Sequence, residues 1–214
     1  MLTPAKKHFM KTQAASETAS DDLEGYADAS QYELMLAQLA QHKRQLKMIQ
    51  STEMKCDFKK SILHEYAPYV YGVIESGAGV QDDVLMTIML WCIDAGDIAC
   101  AIQIAAYALA NDLKMPDQYK RDLATTLAEE VAEYAARDPS AIPTDDLLAV
   151  DSMTSERDMP DEVRAKLHKA IGTQLSETDK PAALEHLKRA LQLHDRSGVK
   201  KQIEKLEREI QQSN

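Results

Sequence analysis

Residues 81–110 read QDDVLMTIMLWCIDAGDIACAIQIAAYALA. Val84, Leu85, Ile88, Met89, Cys92 and Ile93 recur at steps of three and four, which places them on one face of an α-helix. Ala95-Gly96-Asp97 then interrupts the pattern as a tight turn, and Ile98–Ala110 follows, apolar throughout except for Gln103. A helix that is hydrophobic all round is a buried one. Asp82 and Asp83 suit the positive end of the first helix. The stretch therefore predicts a buried helical hairpin and, with it, an all-α fold.

Composition agrees with that prediction. The chain has 214 residues, seven Gly, seven Pro and 5% aromatics, which favours helices over a sheet-based fold. A chain of this length can bury a real core, as one domain or two small ones. A shift of 82 residues aligns the hairpin with a second segment. Leu85 meets Leu167, Met89 meets Ile171, Ile93 meets Leu175, Asp97 meets Asp179, Ala101 meets Ala183, Ile102 meets Leu184, Ala105 meets Leu187, Ala108 meets Ala190 and Leu109 meets Leu191. Both copies read as a helix, a turn with Asp, and a helix carrying Ala at close-packing positions, the layout of a tetratricopeptide-like hairpin. Any two amphipathic hairpins align in part, so shared ancestry stays open. Such hairpins serve more often as protein-contact surfaces than as catalytic sites.

Outward from the hairpin, Ser30-Gln31-Tyr32-Glu33 is a capping box that opens a helix running to the low 50s. Phe58 to Val73 is a further helical pattern, and Pro68 inside it predicts a break or kink. Met115-Pro116-Asp117 is read as the start of a helix over about 118–136. Pro139 and Pro143 mark a connector with a short helix near Asp145–Val150, and further helices are predicted over about 160–175, 181–194 and 198–211. The expected organisation is a mobile arm over 1–29, an N-terminal and central helical domain over 30–140, a connector over 141–157, and a C-terminal helical domain over 158–214. The last helix is amphipathic. Its Val199, Ile203, Leu206 and Ile210 are spaced 4, 3, 4, a narrow coiled-coil-like seam. It is a candidate self-association element, with packing inside one chain as the other reading.

The formal net charge of −10 is unevenly distributed. Residues 1–60 carry nine basic and eight acidic side chains, 61–160 carry five and eighteen, and 161–214 carry eleven and nine. The segment charges are thus +1, −13 and +2. An acidic chain does not simply coat nucleic acid, because phosphate binding is driven by Lys and Arg, but local basic faces remain. The best of these is Lys43, Arg44, Lys47, Lys55, Lys59 and Lys60, with Lys6, Lys7 and Lys11 in the arm. On residues alone, the ordinary reading of such a run is a solvated helix face.

Several chemistries are excluded or unsupported. No apolar run approaches the roughly 20 residues of a membrane span, and the first residues hold no stretch suited to a signal peptide. Cys56, Cys92 and Cys100 form no CxxC, which argues for a reducing compartment and against a disulfide framework or zinc cluster. Neither a dinucleotide fingerprint nor a P-loop is present, so no ATP hydrolysis is expected. The six histidines, at 8, 42, 64, 168, 186 and 194, include no i,i+3 or i,i+4 pair, so no metal site on a single helix is expected. Trp91 reads as core. A Mg²⁺-dependent nuclease needs clustered carboxylates. Asp82, Asp83, Asp117, Asp145, Asp146 and Asp161 are available, but acids at helix starts are the ordinary reading.

The blocks QDDVLMTIMLWCIDAGDIACAIQIAAYAL (81–109), DMPDEVRAKLHK (158–169) and GVKKQIEKLERE (198–209) resemble the terminase small subunits, the M proteins, of peduovirus-type temperate tailed phages, usually labelled the terminase endonuclease subunit. TPAKKHFM (3–10) and YELMLAQLAQHKRQLKMIQ (32–50) extend the resemblance across nearly the whole chain, with 111–157 the weakest part. The resemblance implies a DNA-packaging protein that recognises the cohesive-end site in concatemeric phage double-stranded DNA. It implies cooperation with a large ATPase subunit in cutting and packaging, a homo-oligomeric ring, docking at the procapsid portal, and a location in the bacterial host cytoplasm. With it, DNA contact becomes the preferred reading of Lys43, Arg44, Lys47, Lys55, Lys59, Lys60 and of Lys6, Lys7 and Lys11. Relatives of this type continue into a Lys/Arg/Pro-rich tail, whereas this sequence ends Gln211-Gln212-Ser213-Asn214. No cofactor or metal is expected, and Mg²⁺ enters only if the endonuclease label applies to this chain. Two other readings stand beside the first: a Mg²⁺-dependent site-specific endonuclease in its own right, and a helical interaction scaffold without DNA contact.

Overall fold

The computed structural model describes residues 30–116 and 119–213, which form nine α-helices and no strand. In chain order they are α1 (Gln31–Met48), α2 (Thr52–Ser76), α3 (Asp83–Ala95), α4 (Ile98–Ala110), α5 (Leu123–Arg137), α6 (Thr144–Thr154), α7 (Asp161–Leu175), α8 (Lys180–Leu193) and α9 (Lys200–Ser213). The all-α class is as expected. The arm predicted over 1–29, with Lys6, Lys7 and Lys11, lies outside the described residues. Among the described residues no helix is long and apolar enough to cross a membrane.

Among the described residues, helix α1 belongs to one unit and α2–α9 to another. The capping box forms at the start of α1. The Ser30 amide donates to Glu33 Oε2 at 3.0 Å, and the Glu33 amide donates to Ser30 Oγ at 3.3 Å. Tyr32, Leu39 and His42 are its buried residues.

The second unit uses one starting device repeatedly. Ser51, Asp82, Asp97, Asp122 and Asp179 each accept a hydrogen bond from the amide three residues on. Each such cap contributes about 0.5–2 kcal/mol and fixes where its helix begins. Ser51 thereby starts α2 earlier than the apolar pattern indicates. Asp122, not the Met115-Pro116-Asp117 segment, starts α5, because its carboxylate accepts from both the Thr125 amide (2.8 Å) and the Thr125 hydroxyl (2.9 Å). Residues 119–122 are not helical, and Asp117 lies outside the described residues.

The predicted break at Pro68 does not occur, and α2 runs unbroken from Thr52 to Ser76. Proline inside a helix frees the carbonyl four residues back. Here Pro68 and His64 are both exposed, so water can satisfy that carbonyl, while Ile62, Tyr66, Tyr69 and Val70 bury the opposite face.

Helices α2, α3 and α4 pack together, and α5 adds to them through α4. Leu85, Met86, Met89, Ile104 and Ala105 are sealed from solvent. Trp91 is core, as expected, with its ring edge-on to Tyr66 at 6.1 Å. The 141–157 segment, read as a connector, carries α6, which packs on α4, α5 and α7 and buries Leu147, Val150 and Thr154. Those contacts build it into the second unit.

The second hairpin, α7 and α8, lies where the 82-residue shift places it. Five aligned pairs are fully buried together: Leu85 and Leu167, Met89 and Ile171, Ala101 and Ala183, Ala105 and Leu187, and Ala108 and Ala190; Ile93 and Leu109 are buried while their counterparts Leu175 and Leu191 are half-buried. Asp97 and Asp179 cap the second helix of each hairpin. Gly172 lets α7 and α8 approach closely, since a Cβ there would lie 2.9 Å from the Ala183 carbonyl oxygen. Helix α9 packs on α8. Val199, Ile203 and Leu206 form one cluster with Ala183 and Leu187, and Ile210 is half-buried. Three of the four seam residues are thus filled by the chain's own neighbouring helix.

Candidate functional site

The basic residues of 43–60 divide between the two units. On α1, Arg44 and Lys47 are exposed and Lys43 is half-buried. The 3.6-residue period puts Lys43, four residues on, on the same face as Leu39, with Lys47 at the flank of that face and Arg44 pointing away from it. On α2, Lys55 is half-buried and Lys60 exposed. Lys59 is ion-paired with Asp94 of α3, which leaves its side chain 15% exposed. Lys60 stands at the rim of a groove of about 670 Å³ between α2, α3 and α4, together with His64 and the exposed ring of Tyr71. Tyr71 lies off the apolar spacing of α2, five residues from Tyr66, and its exposure follows from that.

Around Asp94 the surface is acidic. Glu130 of α5 is half-buried, and its carboxyl is held above the ordinary range by burial first and then by Glu133 and Asp94. Glu129 and Glu133 share Lys166 at 3.0 and 2.7 Å, and Glu129 also pairs with Arg121. Part of the central negative charge therefore converges on a patch spanning α3 and α5.

Of the carboxylates considered as Mg²⁺ ligands, the five described ones sit at helix starts. Asp82 is buried, caps α3 and accepts from the Tyr69 hydroxyl. Burial raises its carboxyl above the usual value, and the hydrogen bonds from Tyr69 and the Leu85 amide oppose that shift. Asp83, Asp145, Asp146 and Asp161 occupy first turns. Among the described residues none of these five belongs to a three-ligand cluster.

Two other clusters do form. Cys92, Asp97 and Cys100 meet across the α3–α4 turn, with the two sulfurs 3.2 Å apart. Cys92 keeps its proton, because its thiol donates to Cys100 and is buried, and the same bond draws the Cys100 thiol down. Asp151 of α6, His168 of α7 and His186 of α8 also converge. The Nδ1 atoms of the two imidazoles are 2.9 Å apart, and His168 Nε2 is 3.9 Å from Asp151 Oδ1. Burial first, with His186, Arg164 and Arg189, lowers the His168 imidazole, and Asp151 opposes that. Histidine spacing within one helix does not reveal this cluster. The hairpin register does: His168 and His186 are equidistant from residue 177, in the α7–α8 turn, and residues so placed face each other across an antiparallel pair.

An all-α chain with helical hairpins, an acidic body and cations gathered over 43–60 matches the phage small terminase subunit family over residues 36–162, and the chain belongs to that family. It is a small subunit of the phage DNA-packaging terminase, and that membership makes phage DNA and the large terminase subunit its partners. Among its relatives is the protein named terminase, endonuclease subunit, of Escherichia phage P2. The two are 46% identical over 214 residues, covering 98% of this chain and 86% of the relative. No solved structure matches the chain.

Proposed function

We propose that this small terminase subunit recognises the cohesive-end site of concatemeric phage DNA through Lys43, Arg44 and Lys47 of α1 and Lys55, Lys59 and Lys60 of α2, assisted by Lys6, Lys7 and Lys11. The observation that carries this reading is the separation of charge: Arg44, Lys47 and Lys60 are exposed, while residues 61–160 carry the whole acidic excess. Acid repels phosphate, so a duplex is steered towards the basic segment. Lys59 contributes to that field while held by Asp94. The Asp94, Glu130 and Glu133 patch suits a basic face of the large subunit. The protein works as a homo-oligomeric ring in the host cytoplasm and meets the procapsid at its portal. A ring repeats a modest basic patch many times, and linked weak contacts give strong overall binding.

Binding to cohesive-end DNA, followed by anisotropy across a salt series, tests the reading. Each cation that neutralises a phosphate adds about 0.9 to the steepness of log K against log salt, so Lys43→Ala/Arg44→Ala/Lys47→Ala should lower that steepness by up to about 2.7. An unchanged slope refutes the α1 interface. Native mass of the full chain tests the ring, and a strict monomer refutes it. Incubation with Mg²⁺ and cohesive-end DNA, without the large subunit, tests the endonuclease reading; site-specific nicks would replace pure recognition with cleavage.

A further inference from the structure

We propose that Asp151, His168 and His186 form a binding site for one divalent first-row transition metal of the zinc type, which ties α6 to the α7–α8 hairpin. The donor set is two imidazole nitrogens and one carboxylate, the set that zinc and its neighbours take and that Mg²⁺, which prefers oxygen, does not. One ligand atom from each residue lies within 4.8 Å of the others. Four-coordinate zinc with Zn–N distances of about 2.05 Å sets its ligand atoms about 3.3 Å apart. The 2.9 Å contact runs through His168 Nδ1 and the 3.9 Å contact through its Nε2. One imidazole gives one nitrogen to a given ion, so the His168 ring must turn to aim the nitrogen it offers at a point between His186 and Asp151, with the three ligand atoms starting within 4.8 Å of one another.

The surroundings fit such a site. The side chains of His168 and Asp151 are 13% and 22% exposed, so few waters compete for them. The cluster opens on a groove of about 600 Å³ lined by Glu185, Arg189 and Gln192. Three protein ligands leave one position facing that groove, for water or for the Glu185 carboxylate. The scaffold is stiff: Leu167 and Leu187, next in sequence to the two histidines, are fully buried, and Gly172 brings α7 and α8 together one turn further on. Asp151 lies inside the family-matched stretch and both histidines beyond it.

The test uses the full chain stripped of metal with EDTA and dialysed. Titration with Zn²⁺ should give one ion per chain and a raised Tm, and titration with Co²⁺ should give the visible absorption of a tetrahedral nitrogen–oxygen site. Mg²⁺ should give neither. His168→Gln and His186→Gln, each shown to be folded by circular dichroism, should weaken Zn²⁺ binding at least tenfold, and Asp151→Asn should weaken it less. Gln192→Ala, at the groove rim, should leave it unchanged. Absence of stoichiometric Zn²⁺ and Co²⁺ binding overturns the proposal. So does binding that persists in the histidine variants, or a Co²⁺–thiolate charge-transfer band that Cys92→Ser/Cys100→Ser abolishes.

Discussion

Alanine at Gly172 should destabilise the protein, although alanine is the better helix former. In an exposed helix interior, Gly→Ala gains about 1 kcal/mol. At Gly172 the new Cβ would meet Leu187 Cγ at 2.7 Å, Leu187 Cδ2 at 2.9 Å and the Ala183 carbonyl oxygen at 2.9 Å. Ordinary non-bonded carbon contacts lie at about 3.5–4.0 Å. Leu187 is fully buried, and the Ala183 carbonyl is fixed within α8. Overpacking of this kind costs about 3 kcal/mol, the upper part of the usual range, so the net destabilisation is about 2 kcal/mol. For a unit of this size that lowers Tm by roughly 4–8 °C. Gly72 in α2 is the internal control, since a Cβ there meets nothing within 4 Å. Gly72→Ala should stabilise by up to about 1 kcal/mol and raise Tm by roughly 2–4 °C. Leu187→Ala alone should cost about 2–5 kcal/mol. Combined with Gly172→Ala it should cost less than the sum, because two of the three clashes vanish. Thermal and urea unfolding by circular dichroism measures all four proteins. Gly172→Ala as stable as wild type, or Gly72→Ala destabilised as much as Gly172→Ala, refutes the reasoning.

Further outcomes follow from individual side chains. Ile203→Ala should destabilise the chain by about 2–4 kcal/mol, since Ile203 packs on Ala183 and Leu187; equal stability with an altered native mass would instead assign the seam to self-association. Ser30→Ala should cost about 1 kcal/mol in the unit containing α1, read as faster amide exchange at Gln31–Glu33. The raised carboxyl of Asp82 means that the native state holds a proton the unfolded chain has released. That contribution to stability is complete below the unfolded value of 3.8 and is lost as pH rises through the folded one. Asp82→Asn keeps an acceptor for the Leu85 amide and should remove that part of the pH dependence in urea unfolding as pH rises above 3.8. An unchanged profile would refute a proton held by Asp82 in the native state.

The helices are legible in the sequence where their signals are local. Since apolar period and an Asp cap act within a few residues, the 82-residue alignment anticipates the fully buried Leu167, Ile171, Ala183, Leu187 and Ala190 of α7 and α8, though not that Leu175, Leu184 and Leu191 are only half-buried. Where two local signals conflict, the sequence misleads. Pro68 reads as a breaker, but the burial of Tyr66, Tyr69 and Val70 holds the helix together around it. Met115-Pro116-Asp117 looks like a helix start, but Asp122 makes the two bonds that define one.

The basic segment over 43–60 is visible as composition, yet its division between two units, and the capture of Lys59 by Asp94, are not. By itself the sequence determined the all-α class, most helix starts, the two hairpins and the uneven charge, because each depends on neighbours along the chain. Only the tertiary structure decided that the α9 seam closes on α8, that acids from α3 and α5 share one patch, and that Asp151, His168 and His186 meet. Those pairings depend on the angle and register at which separate helices pack. Side chains such as Gly172, Ala183 and Leu187 set that register through packing between helices, which periodicity along one helix does not record.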